Sequence, residues 1–225
     1  MRRFVTSCAV ALTGMAVSAG LMAGAPTASA AQSCTLSAPA RVSVWHSYTG
    51  VPLRASGACT IGSGWGAWDL IHPTQGSQDT AFFDGTATDT WDYYTFEPMG
   101  RMTWRPSDAY DSYSNMLSQN APVSEVRLGS WAGLTATRSG SAVTLNVRAV
   151  RYWVSGDKNI PFTSAAGTIQ YRAPGTTAWK SLKYVSTNSS GAYQYRYASS
   201  AARDYRVVLN GTSSIWNAAS ATVRR

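Results

Sequence analysis

His46 and His72 are the only imidazoles in a chain of 225 residues, so base chemistry at neutral pH has two places to start. His46 stands in Trp45-His46-Ser47, a base beside a hydroxyl. Neighbours on a strand project to opposite faces, so these two side chains are not expected to meet. The Gly-x-Ser-x-Gly turn that presents a serine nucleophile in hydrolases does not occur. His72 precedes Pro73 and reads as a strand end entering a turn. No catalytic residue is assigned, no cofactor is expected, and the chain reads as a non-enzyme.

Carboxylates gather at Asp79, Asp84, Asp89 and Asp92. A glycosidase needs two carboxyl groups facing each other across a sugar, and this spacing enforces no such pair. Asp84, Asp89 and Asp92 could converge with main-chain carbonyls on one Ca²⁺, with Gly85 easing the turn. EF-hand spacing is absent, and solvated turn aspartates are the ordinary reading.

Two further sets suit binding. Trp65, Trp68, Trp91, Tyr93 and Tyr94 could form a flat platform for sugar rings, although a sandwich core also claims a tryptophan or two. With 9 Trp in the chain, some are expected on the surface, where aromatic clusters mark binding. Arg148, Arg172, Arg196 and Arg206 each fall opposite the apolar phase of their segments. Together they would make a basic sheet face for an anionic polymer or a protein partner, weakened by salt.

The elements that must hold these residues follow from composition. Only 13% of residues are charged while 12% are aromatic and 44% hydrophobic, which argues against disorder and against a coiled coil. The N-terminus reads Met1-Arg2-Arg3, then an apolar stretch from Cys8 to Gly24, then Thr27-Ala28-Ser29-Ala30. That is the pattern of a secretory signal peptide over residues 1–30, cleaved after Ala30. Its apolar run is interrupted and falls short of the roughly 20 residues of a membrane span, so no span is expected after cleavage. Secretion is the expected localisation, and export removes nucleic acid from the expected partners despite a pI of 9.6. Cleavage would leave Cys34 and Cys59 in an oxidising space, where they should form a disulfide.

Charge divides the remainder. Residues 31–125 hold four Arg and nine carboxylates, net −5; residues 126–225 hold thirteen Lys and Arg against Asp157 and Asp204, net +11. Each part has the size of one sandwich domain, so an acidic domain over 31–125 and a basic one over 126–225 are expected. A −5 domain joined to a +11 domain can attract its neighbour within the chain or between chains.

In the second part, Val143, Leu145 and Val147 alternate with Thr144, Asn146 and Arg148, the signature of a half-buried strand. Thr168–Arg172, Gly191–Tyr197 and Asp204–Leu209 repeat it, separated by Gly- and Asn-rich turns. With 134–137, 179–185 and 219–223 this gives about seven strands in 100 residues. The first part reads as strands at 41–45, 51–55, 65–71, 80–83, 91–96 and 102–105, with a short helical turn between Tyr110 and Leu117. The expected fold is all-β, two tandem immunoglobulin-like sandwiches.

The run from Gly167 through Gln170-Tyr-Arg, Pro174-Gly-Thr-Thr-Ala-Trp179, Gly191, Tyr205-Arg-Val-Val and Ser213-Ser-Ile-Trp-Asn-Ala-Ala-Ser220 resembles the Ig-like or fibronectin-like modules of secreted bacterial proteins. The resemblance covers residues 127–225 and implies a sandwich in an extracellular setting, used as a spacer or binding unit. The expected function is therefore a secreted, non-catalytic binding or adaptor protein at or beyond the cell envelope. Its partner would be another secreted or envelope protein, or an anionic or neutral polysaccharide. A carbohydrate-binding module using the N-terminal Trp and Tyr residues, or a secreted protease inhibitor, are the alternatives.

Overall fold

The computed structural model describes residues 32–225; the expected signal peptide lies outside the described residues. Nine strands build the first half: β1 (Ser33–Ser37), β2 (Arg41–Val44), β3 (Tyr48–Gly57), β4 (Trp65–His72), β5 (Gly76–Asp84), β6 (Thr88–Tyr94), β7 (Gly100–Tyr110), β8 (Ser118–Gln119) and β9 (Val123–Leu128). They form two sheets, β6-β3-β1-β8 and β2-β9-β7-β4-β5. All neighbours are antiparallel except β1 with β8 and β2 with β9. Alternation places Val51, Leu53 and Ala55 of β3 inside against Trp68 and Leu70 of β4.

The second half holds β10 (Ser130–Ser139), β11 (Ala142–Trp153), β12 (Lys158–Pro161), β13 (Ala166–Arg172), β14 (Lys180–Ser186), β15 (Ala192–Ala198), β16 (Asp204–Leu209), β17 (Ala218–Ala219) and β18 (Val223–Arg224). One sheet is β10-β11 with β12 and β15 both on the far edge of β11; the other is β14-β13-β16 with β17 and β18 on β16. In both halves the chain passes from one sheet to the other and back, the Greek-key connectivity of immunoglobulin-like sandwiches. The protein is thus all-β, two such sandwiches in tandem.

Aromatics fill the first core. Trp91 meets Trp104 edge-on at 5.6 Å, and Trp68 meets Phe83 at 5.9 Å. Buried indoles need acceptors: Trp68 donates to the Asn120 carbonyl at 2.8 Å and Trp104 to Ser124 Oγ at 3.1 Å. Cys34 and Cys59 form a buried disulfide with Cα atoms 5.5 Å apart, tying β1 to the turn that follows β3. It lies across one sheet end, whereas antibody domains bridge their two sheets.

Two expected elements differ. The segment after Tyr110 forms no helix: the Asp111 carboxylate accepts from Tyr113 N (2.9 Å), Asn115 N (2.8 Å) and Asn115 Nδ2 (2.9 Å), and this side-chain capping holds a compact turn. The final strand is split into β17 and β18, which pair with opposite ends of β16.

Candidate functional site at the domain junction

A single residue, Gly129, separates β9 from β10. A Cβ there would overlap the Trp45 ring, so only glycine lets the chain pass beneath that indole. Gly129 N donates to the Val44 carbonyl at 2.8 Å, and Tyr152 N donates to the Gly129 carbonyl at 3.0 Å. Backbone bonds from Leu128 N to Ser214 O and from Trp216 N to Leu128 O add a short parallel bridge.

Trp216 closes this junction from the second sandwich. Its ring lies beneath the guanidinium groups of Arg41 (4.2 Å) and Arg127 (4.7 Å), and its Nε1 donates to the Val42 carbonyl at 2.7 Å. Arg41 also donates to Asn217 Oδ1 and O, and Arg127 to the Thr212 carbonyl. Asp157 accepts from Ser47 N at 3.0 Å and from the Tyr152 hydroxyl at 2.6 Å. These bonds hold the Asp157 carboxyl below its ordinary range, the Tyr152 contact contributing most. The contacts across the junction among the described residues are hydrogen bonds and the stacking of guanidinium on indole.

Beside this seam opens a cleft of about 730 Å³. Trp45, His46 and Tyr48 line it from the first sandwich, and Trp131, Val150 and Asn159 from the second. Trp131 is 51% exposed, and the outer edge of its ring lies over Gly133, where a Cβ would collide with it. Tyr48, 48% exposed, donates its hydroxyl to Asp92 Oδ1 at 2.8 Å. That bond raises the phenol above its ordinary pKa and keeps it protonated. Tyr48 tilts against Tyr94 at 5.3 Å, and Tyr94 stacks on Phe96 at 5.3 Å, which is 85% exposed. An aromatic ridge therefore runs from the cleft along the first sandwich.

The expected platform is only partly of this place. Trp68, Trp91 and Tyr93 are fully buried among the core aromatics and cannot meet a sugar; the alternation of their strands turns them inward. Trp65 is half-buried against Phe82 and Tyr110 and does not line the cleft. Tyr94 alone of the five is exposed and joins the ridge. Trp45, Tyr48 and Trp131 were missed, because they converge from strands paired through the junction. A Trp-x-Gly pattern on one face of β10 was the one local signal.

The four arginines do not form one face. Each projects outward, as alternation requires, but Arg148 and Arg196 lie on the β10-β11-β15 sheet, and Arg172 and Arg206 on the β14-β13-β16 sheet. Outward residues of two packed sheets sit on opposite sides of a sandwich. Arg172 and Arg206 share the Trp179 ring, at 4.5 and 4.3 Å. Two of the three calcium candidates are separately engaged: Asp89 accepts from Phe82 N and Thr90 N, and Asp92 from the Tyr48 hydroxyl. No group of three His, Cys, Asp or Glu residues suited to a metal occurs among the described residues. His46 and Ser47 stand in a bend before β3, where Ser47 Oγ bonds Asp157.

No family model matches the chain, and no curated protein matches it. Solved structures that align with the chain include trypsin-activated α2-macroglobulin from Escherichia coli (13% identity, TM-score 0.30), with 87% of this chain and 15% of that one covered. The methylamine-reacted Salmonella α2-macroglobulin (15% identity, TM-score 0.41) covers 95% of this chain and 16% of its own length. The D0-D1 domain of intimin (12% identity, TM-score 0.27) covers 85% and 96%. The chain thus spans under a fifth of the macroglobulins. At these identities nothing about ligand or activity passes to it. Among the described residues no helix is long and apolar enough to cross a membrane.

Proposed function

We propose that this chain is an extracellular, non-catalytic binding module that takes saccharide rings in the junction cleft. One observation carries the reading: Trp131 presents a half-exposed indole, the outer edge of its ring over Gly133, in the same cleft as the half-exposed Tyr48. A pyranose has an apolar C–H face that stacks on such rings and a rim of hydroxyls that needs polar partners. His46 and Asn159 supply hydrogen-bonding groups at the wall. Aromatic side chains beside a few polar groups in one concavity are a usual form of a small-ligand site. The disulfide agrees with an oxidising compartment.

Retention on insoluble chitin and cellulose, eluted with free sugars or with salt, tests the reading. Elution by sugar and insensitivity to salt are expected. The ridge of Tyr48, Tyr94 and Phe96 favours a second reading, a protein partner, because a large exposed aromatic patch outside the cleft exceeds what one sugar would cover. Release from a protein ligand by Phe96→Ala, with sugars inert, would favour that reading.

A further inference from the structure

The end of the second sandwich opposite the junction concentrates cations. It is built from the β10-β11 turn, the 173–179 loop, the 199–203 loop and β18, and it brings together Arg138, Arg172, Lys180, Arg203, Arg224 and Arg225. Two hollows flank the 199–203 loop and share Ala202. One, of about 430 Å³, is lined by Arg172, Lys180 and Arg203; the other, of about 320 Å³, by Arg138 and Arg225.

The only carboxylate side chain at this end is Asp204, and it is spent. It is 2% exposed and pairs with Arg224 at 2.7 Å and with Arg172 at 3.3 Å. Arg138, Lys180, Arg203 and Arg225 form no ion pair among the described residues. Several of these groups are held in place without neutralisation. Arg203 stacks over Tyr171 at 4.3 Å, Arg138 donates to the carbonyls of Ser199 and Ala201, and Arg225 Nε donates to the Ala136 carbonyl at 2.7 Å. Backbone bonds between Arg203 and Arg225 fix their spacing. Fixed guanidinium groups around concave space, in excess over the one paired aspartate side chain, match oxyanions.

We infer that this end is a second binding site, separate from the cleft, for a polymer bearing regularly spaced oxyanions, a phosphate-rich or uronate polysaccharide. The polymer's repeat lets it engage both hollows, which a single small anion cannot do.

Polygalacturonate and a phosphate-bearing wall polysaccharide, titrated separately at low and high salt, distinguish the two sources. Binding of at least one, lost as salt rises, is expected. The pair Lys180→Ala with Arg203→Ala should weaken it by about tenfold or more, a loss of ~1.4 kcal/mol. Arg148→Ala with Arg196→Ala, which removes the same charge from the far sheet face, should leave it unchanged, as should Trp131→Ala. The bound polymer should also protect Lys180 of the wild-type chain from acetylation, a readout independent of variant folding. Equal loss in both arginine-bearing pairs would reduce the site to a diffuse field and overturn the proposal. So would absence of polymer binding at low salt, association only with anionic vesicles, or charge-dependent self-association in place of polymer binding.

Discussion

Trp216 Nε1 donates to the carbonyl of Val42 across 174 residues of sequence, and it does so from between two guanidinium groups, those of Arg41 and Arg127. This side chain ties the second sandwich to the strand that leads into Trp45. Trp216→Ala should therefore leave both cores folded while uncoupling them. Small-angle scattering should show a broader distribution of shapes, and a single unfolding transition should separate into two, with about 2 kcal/mol or more lost. An unaltered scattering profile would show that the remaining backbone bonds suffice.

Asp157 supplies a pH signature for the same seam. Its carboxyl is held low first by the Tyr152 hydroxyl, against the opposing cost of desolvation, and then by Ser47. Tyr152 is correspondingly pushed up to about 12, by desolvation and then by Asp157. A depressed carboxyl favours the folded state fully above the unfolded pKa near 4, and that contribution disappears as pH falls through the lower folded value. Asp157 sits at φ 42°, a conformation asparagine tolerates, so Asp157→Asn removes charge without backbone strain. Wild type should melt above the variant at pH 7, and the gap should close on titration toward pH 2. A gap independent of pH would assign the effect to packing.

The disulfide should matter chiefly to the first sandwich. Closing a loop with a sequence separation of 25 is worth about 3 kcal/mol by chain entropy. Denaturant unfolding of Cys34→Ala/Cys59→Ala should show that loss in the transition monitored by the core Trp residues. An unfolding midpoint equal to that of the wild type would contradict the assignment.

Gly133 separates platform geometry from stability. A Cβ would press on the far edge of the Trp131 ring, which is half-exposed and free to swing away. Gly133→Ala should lower saccharide affinity several-fold while shifting the melting temperature little, as surface changes do. Thermal melts beside binding isotherms check this; equal affinity would mean that the ring orientation carries no weight.

Much of the fold was written in alternation. Val143, Leu145 and Val147 announced β11, and the Asn188-Ser-Ser-Gly191 turn is made as its composition demanded, with Asn188 Oδ1 accepting from Ser190 N and Ala192 N. Alternation also says which way a side chain points from its own strand, and this it did for the arginines. It cannot say which sheet a strand joins, so Arg148 and Arg172 were assigned one face when they occupy two. The same limit hid the cleft. Tyr48 and Trp131 share it because Gly129 permits a tight passage under Trp45, a relation between residues far apart in sequence. Trp68 and Trp91 illustrate the converse: a tryptophan on a strand carries the same local signal whether its face meets solvent or the opposing sheet.

The most direct measurement is the binding of Trp131→Ala to the neutral polysaccharide that retains the wild-type chain, followed by sedimentation and by tryptophan fluorescence. The account predicts affinity lower by about tenfold, equivalent to ~1.4 kcal/mol, with free sugar quenching wild-type fluorescence and the melting temperature unchanged. Undiminished retention of Trp131→Ala, or wild-type retention that salt abolishes and sugar does not, would contradict it.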